Sequence, residues 1–275
     1  MNLSGRCVLV TGASSGIGEA TALTFARAGA HVVLASEHEV NLCRVYEEIV
    51  ETGGKATMEL VDLSKPEQVT GLIVRIEERV GPLDTVVNNA GIGLGATVLK
   101  TTIEDMRFVF EVNFFALHQI CQQALGAMSV RCAGHIINVT SAAGRFGSPT
   151  VSAYSASKGA VHAYTQALRI EASEYGIFVS EVLPISVRTD FFDNVKGAKY
   201  KPGGVVQTAQ TVADSIVGCA AARKPGAEIL PFAPIRAVFF LDALFPGVSA
   251  WYLSRAYGKN LEREKSTLKS SKPSE

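Results

Sequence analysis

What the sequence lacks narrows it first. Its 275 residues carry no excess charge of either sign, with 26 Lys and Arg against 26 Asp and Glu. No net field therefore draws it to nucleic acid or to an anionic membrane. The five cysteines, Cys7, Cys43, Cys121, Cys132 and Cys219, are odd in number and scattered, and no two have C-x-x-C or other metal-ligand spacing. A zinc module is thereby excluded, and buried free thiols in a reducing compartment are expected. The chain shows no basic segment followed by a long apolar stretch and a small-residue cleavage site, so no signal peptide is read and a cytoplasmic protein is expected. A spanning helix needs about 20 mostly uninterrupted apolar residues. The hydrophobic stretch Val238–Leu253 is broken by Asp242 and by Pro246-Gly247. Solenoid-type repeats and domain linkers are absent.

What is present is an alternation of short apolar runs with longer amphipathic segments, the pattern of a parallel sheet with crossover helices. Strands are expected at Cys7–Val10, His31–Ala35, Ala56–Leu60, Thr85–Asn88, His135–Thr140, Phe178–Leu183 and Glu228–Leu230. Helices are expected at Ile17–Ala28, Glu39–Thr52, Pro66–Val80, about Ile103–Met128, Ser152–Tyr175 and Val212–Ala222. The fold class is thus α/β, a three-layer doubly wound sheet of about seven strands, each apolar on both faces because helices cover both sides. Residues 1–230 form this domain. Residues 231–264 are a proline-punctuated, aromatic extension, and 265–275 read as a disordered tail. A lid over a substrate, a subunit contact and a monotopic or peripheral membrane contact through 238–253 are all compatible with the extension.

Thr11-Gly12-Ala13-Ser14-Ser15-Gly16-Ile17-Gly18 follows the first strand and opens the first helix. A pyrophosphate needs backbone N–H groups at a helix N-terminus, where the dipole favours an anion. Glycines allow the tight turn and the close approach. Glu37, just past the second strand, is placed to meet adenosine ribose hydroxyls and to repel the extra phosphate of NADP. No Lys or Arg lies in the glycine loop or beside Glu37, so NAD is favoured over NADP. Glu37 is equally at home as favourable negative charge at a helix N-terminus.

Tyr154 and Lys158, four apart on an expected helix, share one face. A tyrosine near pKa 10 is a poor base at neutral pH, and a neighbouring ammonium favours its phenolate. Lowering it to near 7 takes roughly 4 kcal/mol of differential interaction. Lys158 together with a positive nicotinamide is expected to supply that. Ser141, at the end of a central strand, is placed to hydrogen-bond a substrate oxygen. By itself, a Tyr and Lys at this spacing is more often a surface pair. The combination of motifs carries the reading.

That combination resembles the short-chain dehydrogenase/reductase family, a Rossmann-fold family of oxidoreductases, over about Leu3–Leu230. The glycine loop matches T-G-x-x-x-G-x-G. Asp62 in Val61-Asp62-Leu63 matches the family's adenine-contacting acidic residue, Asn88-Asn89-Ala90-Gly91 its N-N-A-G, and Tyr154-x-x-x-Lys158 its Y-x-x-x-K. Asn113 and Ser141 stand where the family has a helix-kinking asparagine and a catalytic serine. The resemblance implies cofactor contacts from Gly12, Ser14, Ser15, Gly16, Ile17, Gly18, Glu37, Asp62, Leu63, Asn89, Ala90, Gly91, Tyr154, Lys158, Pro184, Val187 and Thr189. It implies that Tyr154 exchanges a proton with the substrate oxygen while hydride moves to or from the nicotinamide. Lys158 would lower the Tyr154 pKa and bind the nicotinamide ribose, and Asn113 would hold a water linking Lys158 to solvent. A homodimer or homotetramer packed through Ile103–Met128 and Ser152–Tyr175 is also implied, and Ala156, Ala160, Ala163 and Ala167 suit either close helix packing or burial against the sheet.

One departure stands out. Where the family has P-G-x-V-x-T, this chain has Pro184-Ile185-Ser186-Val187-Arg188-Thr189. A β-branched residue does not readily take φ > 0, so either the loop keeps a negative φ or the nicotinamide sits differently. The substrate segment, about Asp190–Gln207, offers Phe191-Phe192 as an apolar wall and Lys196, Lys199 and Lys201 as a solvated face. Gly93–Leu99 and Ala142–Val151, with Phe146, also border the pocket. A lipophilic alcohol or carbonyl substrate of steroid, retinoid or fatty-acyl type is expected. The alternative is a non-catalytic dinucleotide sensor or scaffold of the same fold, to which Ile185 alone points.

Overall fold

The computed structural model describes residues 2–189, 191, 196–197, 205–245, 247, 250–251, 254–255 and 258. Seven strands form one sheet: β1 Cys7–Thr11, β2 His31–Ser36, β3 Lys55–Leu60, β4 Thr85–Asn88, β5 His135–Val139, β6 Phe178–Val182 and β7 Glu228–Ile229. They run in the order β7-β6-β5-β4-β1-β2-β3, and every pairing is parallel. The connecting helices are α1 Gly16–Arg27, α2 Glu39–Glu51, α3 Leu72–Val80, α4 Ile103–Phe110, α5 Ala116–Arg131, α6 Ser152–Ser173 and α7 Ala209–Ala221. Helix α8, Ile235–Leu244, follows the last strand.

The period-two geometry of a strand explains the continuous apolar runs. Leu9, Val33, Val86, Ile136 and Val179 face one side, where they pack with Ile73 and Ile76 of α3, Ile120 of α5 and Val161 of α6. Their neighbours Val8, Val10, Val32, Leu34, Val87, Ile137 and Val182 face the other, against Phe25 of α1, Val45 of α2 and Ile216 of α7. Each such side chain contributes roughly 1.5–3 kcal/mol by leaving water. The chain begins mid-sheet and winds outward through β3, then returns to β4 on the other flank of β1. Such a reversal opens a crevice beyond the carboxyl ends of β1 and β4.

Several expectations need correction. The helix expected over Pro66–Val80 is broken: Pro66–Val69 forms one turn and α3 restarts at Leu72. Gly71 sits there at φ 69°, and Arg75 reaches back to the carbonyl oxygens of Thr70 and Gln68 at 2.5 and 2.6 Å. The helix expected from Ile103 to Met128 is continuous only through a π-helical turn, Glu111–Phe115. The outer strands are not apolar on both faces, since Lys55 and Leu60 of the edge strand β3 are exposed. All five cysteines are free, but only Cys7, Cys121 and Cys219 are buried, whereas Cys43 is partly and Cys132 fully exposed. The expected tail, 265–275, lies outside the described residues, as do Phe192, Lys199 and Lys201 of the substrate segment and the side chain of Lys196.

Candidate active site

The glycine loop joins β1 to α1 at the crevice. Gly12 and Gly16 hold φ of 66° and 58°, which favours glycine at both. A Cβ on Gly18 would collide with the Gly12 carbonyl oxygen, and one on Gly12 would lie 2.9 Å from the Ala90 Cα. Ser15 caps α1 by position, yet its side chain makes no capping bond. Its hydroxyl is exposed and Ile17 is partly so. Ser14 is buried and receives a hydrogen bond from the Ser36 hydroxyl at 2.9 Å. Bare backbone with an uncapped helix start fits the pyrophosphate of a dinucleotide. Thr189 closes the other wall, with its Cγ2 3.1 Å from where a Gly16 Cβ would sit.

Past the ends of β2 and β3 lies an open cleft lined by Glu37, His38, Leu60, Val61, Asp62, Lys65 and Gln68, where the adenosine is expected from the sequence. Burial works to raise the Asp62 carboxyl, but the Ser64 hydroxyl and amide both donate to it. Lys65 sits 3.1 Å away, and together they hold it at about 2. Burial and the adjacent Asp62 charge raise the Glu37 carboxyl above its usual range, opposed by His38 and Lys65. Leu63 leaves the cleft wall and packs against the core on one face of the sheet. Lys65 is the residue that sequence reasoning missed. It is remote from Glu37 in the chain, and only the pairing of β2 with β3 makes them neighbours.

The segment after β4 connects the cradle to the chemistry. Thr11 accepts hydrogen bonds on its hydroxyl from the backbone N–H groups of Asn89 and Ala90, both at 3.1 Å, and the Asn89 amide donates to the Thr11 carbonyl at 3.0 Å. Asn88 donates to Asn138 at 2.9 Å. Gly91 then brings its backbone so close that a Cβ would lie 3.3 Å from the Lys158 Nζ and 3.2 Å from the Asn113 Oδ1. Asn113, fully buried in the π-helical turn, accepts from the Ile92 amide at 2.7 Å. It donates to the Ile92 carbonyl and to the Ser157 hydroxyl, each at 2.9 Å. The π turn aims this side chain inward.

Ser141, Tyr154 and Lys158 converge beside this segment. Ser141 caps a 3-10 turn, accepting from the Ala143 amide at 3.1 Å, and its hydroxyl stands close enough to the Tyr154 phenol to pull its pKa down. The ammonium of Lys158, 3% exposed, lies 5.9 Å from the Tyr154 ring centroid and donates to the Val139 carbonyl at 2.9 Å. Phe191 packs on Tyr154, with ring centroids 5.6 Å apart. Burial pushes the phenol up to about 12, Ser141 opposing. Burial also lowers the Lys158 ammonium to about 8, against the pull of Glu181. The expected lowering of the phenol by Lys158 does not enter here, where burial and Ser141 set its pKa. The amine is turned to a backbone carbonyl, and desolvation dominates.

The loop after β6 resolves the Ile185 question. Cys132 and Thr150 are the non-glycine residues with positive φ among those described, so Ile185 keeps an ordinary backbone. Its amide donates to the Gln207 Oε1 at 3.1 Å. Its side chain joins Ala142, Leu183, Phe146, Ile235 and Phe239 in a small apolar cluster, which docks α8 beside Ser141. Pro184 and Val187 are buried, and the Pro184 carbonyl accepts from the Ala142 amide at 2.9 Å.

A sequence model of short chain dehydrogenases matches residues 6–199. The chain belongs to that family. A dehydrogenase/reductase SDR family protein 7-like from Anopheles gambiae is 34% identical over 269 residues, covering 92% of this chain and 84% of its own. The ketoacyl reductase HetN of a Nostoc strain is 32% identical over 216 residues, covering 78% and 75%. Among solved structures, a short-chain dehydrogenase/reductase from Burkholderia phymatum in complex with NAD aligns with a TM-score of 0.80 at 26% identity, over 90% of this chain and 96% of that one. A short-chain dehydrogenase from Sphingobium yanoikuyae in complex with NADPH aligns at 0.77 and 27%, over 89% and 95%. The chain thus shares the Rossmann-type sheet and dinucleotide crevice of short chain dehydrogenases, a family with both NAD- and NADPH-bound members.

Proposed function

We propose that this short chain dehydrogenase interconverts an alcohol and a carbonyl, with Tyr154 exchanging the proton at the substrate oxygen. The observation that carries this reading is the convergence of Ser141, Tyr154 and Lys158 next to Gly91, continuous through Asn89 and Thr11 with the glycine cradle. A nicotinamide dinucleotide, when bound, supplies or accepts the hydride. In the reducing direction Tyr154, held as a neutral phenol, donates its proton to the substrate oxygen. Ser141 donates a hydrogen bond to the same oxygen and polarises it. Lys158 offers the ammonium N–H groups not directed at Val139 to the ribose side of the cleft, and Asn113 fixes the Ile92 backbone beneath it. In the oxidising direction the phenolate is needed, and the positive charge of oxidised nicotinamide favours it.

NAD is the preferred cofactor on this reading, because Glu37 and Asp62 together place two carboxyl groups at the adenosine end. Lys65 is the counterweight and leaves NADP a weaker ligand. The substrate is lipophilic: Phe191 covers the Tyr154 ring, and Phe146, Ile185 and Phe239 form an apolar wall past Ala142. Of the roles open to 238–253, cover over the cleft gains support from Ile235 and Phe239 packing beside Ser141. The exposed Val238, Phe240, Leu241, Leu244 and Trp251 support peripheral membrane contact. No described helix is long and apolar enough to cross a membrane. A homodimer or homotetramer is supported by the outward-facing Ala156, Ala163 and Ala167 of α6 and by exposed Phe108 and Phe115. A cytoplasmic location completes the reading, supported by the free thiols. Fluorescence titration with NADH and NADPH, repeated with hydroxysteroids, retinoids and simple ketones, tests it. Tighter NADH and turnover of the polycyclic or long-chain compounds are expected. Small polar sugars turning over faster would overturn the substrate assignment.

A further inference from the structure

Behind the helix that carries Tyr154 lies a polar cluster, centred on a buried carboxylate, that the proposed chemistry does not use. Tyr154, Lys158 and His162 are spaced at i, i+4 and i+8 on α6, so they line one face. Glu181, on β6, is 1% exposed. Its carboxylate accepts from the Thr140 hydroxyl at 2.7 Å and from the His162 Nδ1 at 2.8–2.9 Å. The tautomer follows from the partners. Arg145 has only donors and directs its Nη1 at the His162 Nε2 at 3.0 Å, where Gln166 also donates at 3.0 Å. The ring proton therefore sits on Nδ1 and points at Glu181. The neighbouring carboxylate in register on β7, Glu228, is taken up by the same Arg145 Nη1 at 3.0 Å. Lys158 lies one helical turn before His162 on that face of α6. Its Nζ is bonded to Val139, the residue that precedes Thr140.

We propose that Glu181 is a positioning residue of the active site, its carboxylate locked between Thr140 and His162 so that its charge holds the buried Lys158 ammonium protonated. Two opposite charges in a water-poor interior attract far more strongly than at the surface, and a buried ammonium without such a partner gives up its proton. The direction of the Glu181 influence on Lys158 agrees. The network around Glu181 fixes where the charge stands: Thr140 from the end of β5, His162 from α6, and Arg145 with Gln166 behind the imidazole. Among the described residues, His162, Arg145, Tyr154 and Glu228 are the other titratable or charged groups around the pair. This proposal rests on the assignment of Lys158 to the site, and its test is independent of turnover.

The test follows the Lys158 side chain through a pH titration by NMR of the full chain labelled with 15N-lysine, its resonance assigned by loss in Lys158→Met. In Glu181→Gln, which keeps the shape, the Lys158 midpoint is expected to fall by roughly one pH unit or more. Glu181→Asp should restore most of it. A folded Glu181→Gln whose Lys158 midpoint stays where it was overturns the proposal. Should Glu181→Gln not fold at pH 6, pairing predicts that adding Lys158→Met restores folding by removing the orphaned charge. A double variant that stays unfolded then overturns it. Failure of the catalytic assignment reads out separately, as turnover that survives Tyr154→Phe.

Discussion

The two ends of the crevice are built from different materials. At the glycine-loop end, where the proposed pyrophosphate would sit, the main chain dominates: two glycines in the left-handed region, a third packed against a carbonyl, and a helix start left uncapped. Side chains matter there chiefly by being absent. At the Tyr154 end the side chains dominate: a half-buried serine and tyrosine and a buried lysine, whose protonation depends on burial and on partners drawn from β5, β6 and α6. A site of the first kind should tolerate changes of charge but not of shape. A site of the second kind should tolerate small changes of shape but not of charge. Substitutions that alter only one of these properties separate the two.

The largest effect is expected from Tyr154→Phe, which removes one oxygen and no packing. Turnover should fall by about 10²–10⁴-fold while NADH affinity stays within a few-fold, as expected for loss of a proton-transfer group. Steady-state kinetics beside fluorescence titration checks this, and equal losses in both would erase the distinction between the ends. Next is Gly18→Ala, a change of shape without charge. The added methyl meets the Gly12 carbonyl and should lower stability by about 1–3 kcal/mol or more. It should also weaken NADH binding at least tenfold, as measured by melting and titration. Unaltered binding would show that the loop is not the cradle.

The pH dependence is smaller and confined to the charged end. Lys158 loses its proton as pH rises through about 8, so the ammonium is present below that value and gone above it. NADH affinity should therefore decline severalfold between pH 7 and 9, and the decline should vanish in Lys158→Met. A decline that persists in that variant would locate the titrating group elsewhere. Smallest is Glu37→Ser, which removes one of two carboxyl groups at the adenosine cleft and leaves Lys65 in place. The ratio of NADPH to NADH affinity should rise by about two- to threefold, as expected for one partly exposed charge, read from paired titrations.

The same contrast governs what could be read from the chain alone. Glycine spacing specifies backbone conformation directly, so Gly12, Gly16 and Gly18 were legible, as were the strands whose residues alternate between two covered faces. Tyr154 and Lys158 were legible as a pair because helical spacing fixes their common side. Their charge states were not, because desolvation at the end of β5 and the carboxylate of Glu181 come from segments far apart in sequence. Lys65 escaped notice for the same reason, reaching Glu37 only across the β2–β3 pairing. The break at Gly71 was missed because amphipathic periodicity carries through it, and the π turn at Asn113 was legible only through the resemblance to a helix-kinking asparagine, for the same reason. A one-residue slip in phase is invisible over so few turns.

That slip has a consequence of its own. Ahead of Glu111–Phe115 and behind it, the long helix presents its inward stripe in two different angular settings, offset by the extra residue held in the wide turn. Shortening this stretch by one position would let the coil wind regularly from Ile103 to Arg131. The coil would then be locally more comfortable and globally out of step: either Val109 or Ile120 would lose its seat, and Asn113 would swing away from Ile92.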